Sequence, residues 1–98
     1  MDRVPLKLSR LRDIGWSEWD PIGILAEGKV WDHQPFADEY DRYLTTAAAR
    51  LRREWTVEEA AAYLYDIAEN HIGLTSPSKA RALATAKAIR EYVRSIDD

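Results

Sequence analysis

The sequence predicts an all-α protein, on three observations. Apolar residues recur at three- and four-residue steps over long stretches, helix start and stop signals punctuate them, and no convincing run alternates with a period of two. The 98 residues are enough for one domain with a single modest core. A hydrophobic fraction of 46% beside a charged fraction of 32% fits a folded globular chain rather than a disordered one.

A first helix is expected over about residues 6–14, where Leu6, Leu8, Leu11 and Ile14 fall on one side and Gly15 offers a stop. A second, short element starts at Asp20, whose carboxylate suits an N-cap, with Pro21 at the first helical position. Trp19 and Ile24 take the places of a hydrophobic staple, while Gly23 and Gly28 keep the element short. Residues 28–35, GKVWDHQP, read as a loop.

A long helix follows over about residues 36–54, with Phe36, Tyr40, Tyr43, Leu44, Ala47 and Leu51 in one stripe. Thr56 and Glu59 then form a T-x-x-E capping box, with Trp55 and Ala60 as its staple. That helix should run to His71 or Ile72 and bury Val57, Ala60, Ala61, Leu64, Ile67 and Ala68. Gly73 and Leu74 fit a Schellman ending. Ser76 and Pro77 open the last helix, whose buried stripe is Ala82, Ala86, Ile89, Val93 and Ile96. Short connections between three substantial helices favour a bundle-like packing, preceded by one or two short helices.

Composition excludes some chemistry. There is no cysteine, so no disulfide and no thiolate-bound metal. The N-terminus, MDRVPLKLSRLRD, has no apolar signal-peptide core, and no apolar run reaches membrane-spanning length. A cytoplasmic protein with no membrane partner is expected. The net charge is only −3, yet residues 13–41 hold eight acids against Lys29 alone, a local −7. Such a stretch attracts basic partners. Arg50, Arg52 and Arg53 beside Trp55 form the main basic cluster, and a net negative chain argues against nucleic acid.

The candidate chemical residues are sparse. Asp38, Glu39 and Asp41 open the long helix, where free N–H groups and the dipole stabilise carboxylates without any catalytic role. Helical spacing fans the three to different sides, with Glu39 nearest the buried stripe. His33 lies in the loop and His71 at a helix end, and neither has a metal-ligand spacing. No catalytic set, metal site or cofactor is assigned. Four tryptophans are many for this length, and Trp16, Trp19 and Trp31 fall in the least regular third. They either close the core or form an aromatic patch ringed by acids.

The pieces WDPIGI (residues 19–24), DEYDRYL (residues 38–44) and ENHIGL (residues 69–74) resemble the YugE-like family of small multihelical bacterial proteins. The likeness implies a helical fold and no settled activity. It draws attention to Asp20, Pro21, Ile22 and Gly23 in a turn, and to Asp38, Glu39, Tyr40 and Asp41 in a helix start. In that picture Asp20, Pro21, Gly23, Glu39, Tyr40, Thr56, Glu59 and Gly73 fix the architecture.

The expected function is a non-enzymatic interaction domain, of the immunity or antitoxin type, that presents Trp16, Trp19, Trp31, Asp32, Asp38 and Asp41 to a basic protein. The alternatives are a small metal-dependent or acid/base enzyme using Glu39, Asp41 and His71, and a homodimer. The homodimer would pair the last helices through Ala80, Ala82, Ala84, Ala86 and Ala88.

Overall fold

A computed structural model of the protein describes residues 5–19, 38–71 and 78–97, with the backbone alone for His71 and Asp97. The elements run α1 (Leu8–Ile14), a π turn (Gly15–Trp19), α2 (Asp41–Arg53), α3 (Val57–Asp66), a second π turn (Ile67–His71) and α4 (Lys79–Asp97). Among the described residues there is no strand, and the all-α class holds. The short element expected from Asp20, Pro21 and Gly23, the start at Phe36, Trp31, Asp32 and the ending at Gly73 lie outside the described residues.

Helix α4 organises the packing: it lies against α1, the first π turn, α2 and α3. Its inner stripe of Ala82, Ala86, Ile89 and Val93 is buried as expected, with Ile96 packed at its edge. The stripe is wider than the sequence suggests, because Thr85 and Tyr92 are buried too. Thr85 tolerates this because its hydroxyl donates to the Arg81 carbonyl at 2.7 Å, which satisfies the polar group within its own helix. Small residues at Ala47, Ala48, Ala60, Ala82 and Ala86, all essentially solvent-free, let the helix backbones approach closely. Of the alanine series of α4, Ala82 and Ala86 point into this core, Ala80 is exposed, and Ala84 and Ala88 are half-buried.

The helix boundaries follow identifiable caps. Thr56 accepts from the Glu59 amide at 3.1 Å and the Glu59 carboxylate accepts from the Thr56 amide at 3.0 Å, the full capping box. Helix α2 closes where the Glu54 and Trp55 amides both donate to the Arg50 carbonyl at 2.8 Å. Helix α4 begins later than the Ser76–Pro77 signal suggests. Ser78 is its cap, with Oγ accepting from the Arg81 amide at 3.1 Å.

Gly15 does not stop α1. Its backbone is right-handed helical (φ −61°, ψ −43°), and the path continues through the π turn. The reason for glycine is proximity: a Cβ there would stand 2.5 Å from Leu44 Cδ1 and 3.0 Å from Cδ2. The glycine admits α2 against the end of α1. It works through space rather than backbone freedom.

Candidate interaction surface

The π turn and the start of α2 are joined by aromatic rings. Trp16 stacks at 4.6 Å from Tyr40, Trp19 lies 5.3 Å from Tyr40, and Trp19 meets Tyr43 edge-on at 6.2 Å. These are the tilted and T-shaped arrangements that aromatic quadrupoles favour. Trp16 and Trp19 are only 4% and 2% exposed, so they close the core and offer no indole face to a partner. This corrects their expected place in a binding patch. The physical reason is that Tyr40, just before α2, and Tyr43 within it lie against their rings, a partner set the local sequence does not reveal.

The acidic helix start divides in two. Asp38 and Glu39 are exposed, but with Tyr40 they form a turn before α2, so the expected helix start near Phe36 with these acids in its first turns is corrected to a start at Asp41. Asp41 instead turns to α1, where Arg12 Nε donates to Oδ1 at 2.9 Å and Nη2 donates to Oδ2 at 2.6 Å. Both carboxylate oxygens are thus engaged by one planar fork. The pair is three-quarters covered, at 24% and 23% side-chain exposure. Arg12 is held above the ordinary arginine pKa. The hydrogen bond to Asp41 is the main cause, partial burial opposes it, and the nearby charges of Asp41 and Asp38 add to it. Asp41 is consequently a structural residue, which corrects its expected place on the partner surface.

Of the alternative trio of Glu39, Asp41 and His71, the side chain of His71 lies outside the described residues. Asp41 is committed to Arg12, Glu39 faces solvent, and His71 ends the second π turn. No group of three acid or histidine side chains able to hold a metal occurs among the described residues. The exposed carboxylates near the aromatic joint are Asp13, Glu18, Asp38 and Glu39. They come from both of the segments that the rings hold together. Asp13 is loosely paired with Arg10 at 3.8 Å across a solvated surface.

Three features escaped sequence reasoning. The Lys7 amide donates to the Tyr92 hydroxyl at 2.7 Å, tying the N-terminal segment to α4 across 85 positions. Trp55, half-buried, lies between the Arg50 guanidinium at 5.9 Å and Tyr63 at 5.4 Å, and Arg50 also pairs with Glu54 at 2.9 Å. Lys79 stands 5.5 Å over the Tyr65 ring, at one end of an open groove between α3 and α4 lined chiefly by Ala61, Ala62, Ala82 and Leu83. Only the tyrosines and the basic ends of the helices were visible as signals. No protein-family model, curated protein or solved structure matches this chain.

Proposed function

We propose that this protein is a non-enzymatic interaction domain that presents an acidic surface to a basic protein partner. The observation that carries the reading is the position of Asp13, Glu18, Asp38 and Glu39. All four are exposed, on two segments clamped by the Trp16–Tyr40 and Trp19–Tyr40 contacts. The stretch 13–41 carries an excess of −7 in the sequence, and Asp13, Glu18, Asp38 and Glu39 of that stretch share one rigid base. A buried aromatic joint suits this role because it holds like charges close without letting their repulsion open the fold. In this reading Trp16, Trp19 and Asp41 support that surface from beneath. An inhibitor that covers a cationic site on another protein is the form of interaction this charge pattern fits best.

The test is affinity capture from the host with the wild-type chain and with Glu18→Lys/Asp38→Lys/Glu39→Lys, followed by titration of any protein enriched. The expected result is a basic partner whose affinity falls by about tenfold or more in the variant and falls further with salt. Recovery of no partner, or equal affinity for both chains, overturns the proposal. Matching far-UV circular dichroism of the two chains keeps loss of binding distinct from loss of fold.

A further inference from the structure

The opposite end of α2 has the opposite electrostatic character. Lys87, Arg90 and Arg94 sit on one stripe of α4, within about 60° around the axis and spread over about 10 Å along it. With Thr56, Val57, Glu58 and Glu91 they line an open concavity of about 500 Å³ between α4 and the start of α3. Arg94 belongs to the last turn of α4, where a cation complements the helix dipole, but Lys87 and Arg90 stand well before it. None of the three cations is held in an ion pair with a described residue, although Arg90 is half-buried. The chain entering the concavity at Thr56 comes directly from the Arg50, Arg52 and Arg53 turn of α2. Helix α2 has 13 residues and spans about 20 Å from Asp41 to this basic turn.

We infer that this concavity binds an acidic protein segment, with Lys87, Arg90 and Arg94 each taking a carboxylate. The two glutamates decide between protein and nucleic acid. Glu58 and Glu91 are exposed on the same walls. A phosphate chain, uniformly negative, meets both of them with nothing to offset the repulsion. A peptide segment places carboxylates against the arginine forks and a lysine or a backbone amide against each glutamate. Mixed charge on the wall selects mixed charge on the ligand.

The experiment uses the full chain and a fluorescein-labelled helical peptide that carries glutamates at i, i+3 and i+7 flanked by one lysine, with oligothymidine as competitor. Anisotropy should report saturable binding that weakens with added salt. Lys87→Gln/Arg90→Gln/Arg94→Gln should lower the affinity by about tenfold or more, while keeping the wild-type circular dichroism. If the triple variant does not fold, Arg90→Gln alone should still weaken binding measurably. Glu58→Gln/Glu91→Gln should raise the affinity for oligothymidine relative to wild type. Absence of peptide binding, peptide affinity indifferent to the cation variants, or displacement of the peptide by oligothymidine from the wild-type protein would each overturn the inference. The readout here is a defined peptide and its control variants are at the α4 cations, so failure here is separable from failure of the function proposed above, which is read from a host protein and the acidic residues.

Discussion

Arg12 and Asp41 meet through two parallel hydrogen bonds, 2.9 and 2.6 Å long, between residues 29 positions apart. The pair fixes the angle at which α2 leaves the aromatic joint, since one partner is in the last turn of α1 and the other in the first turn of α2. Arg12→Ala leaves a largely covered carboxylate without its donor and should destabilise the fold by about 1–3 kcal/mol. Arg12→Ala/Asp41→Ala should be less destabilising than the two single changes combined, as urea midpoints from a double-mutant cycle will show.

The same pair makes a pH prediction. The folded-state pKa of Arg12 is raised above its unfolded value, so its contribution is fully present below the unfolded value and is lost only as pH climbs through the folded one. The unfolded value is the ordinary arginine one and the folded value lies above it, so both are far above neutrality. The coupling energy from the cycle should therefore be the same at pH 7 and at about pH 10. A coupling that fades over that window would show that the guanidinium is not the group responsible.

Gly15 makes a third prediction, about space. In a right-handed helical turn an alanine is ordinarily more stable than glycine by about 0.5–1 kcal/mol. Here the new methyl meets the fully buried Leu44 side chain, and overpacking of about 1–3 kcal/mol outweighs that gain. Gly15→Ala should lower the melting temperature, and Gly15→Ala/Leu44→Val should recover part of the loss. Recovery is the decisive measurement, because strain in the backbone would not respond to Leu44.

How much of this was legible in the sequence depends on how far apart the partners lie. The Thr56–Glu59 box and most of the α3 and α4 stripes are local patterns and appear where their spacing places them, although Val57 and Ala61 are only half-buried and α3 passes into a π turn at Ile67. Gly15 misleads because a stop signal and a close-approach glycine look alike until Leu44 is seen beside it. Trp16, Trp19 and Asp41 mislead for a related reason. Their environments are supplied by Tyr40, Tyr43 and Arg12 across a gap of more than twenty residues, and periodicity within one helix carries no record of that. The concavity at Lys87, Arg90 and Arg94 exists only once α4 has folded against the start of α3.

The capping box should behave as a unit. Thr56→Ala removes the acceptor for the Glu59 amide and should destabilise the fold by about 1 kcal/mol, and Thr56→Asp should restore most of that. Glu59→Ala, tested in the Thr56→Ala background, should add less than it does alone. Urea denaturation of the four variants beside the wild type measures both effects.

The Lys7–Tyr92 bond makes a local prediction. Tyr92 is 8% exposed, and its ring also lies 5.9 Å beneath the Arg10 guanidinium, so the phenol body packs whether or not its hydroxyl is present. Tyr92→Phe keeps that body and removes only the acceptor for the Lys7 amide at 2.7 Å. The global loss should be about 0.5–1.5 kcal/mol, the ordinary worth of one hydrogen bond. The sharper readout is hydrogen exchange, because the segment before α1 has no other described tie to α4 through its backbone amides. The Lys7 amide should exchange much faster in Tyr92→Phe, while amides in the middle of α4 slow or speed only in step with global stability. Unchanged protection at Lys7 would mean that packing of Leu6 against α2, rather than this bond, anchors the start of the chain.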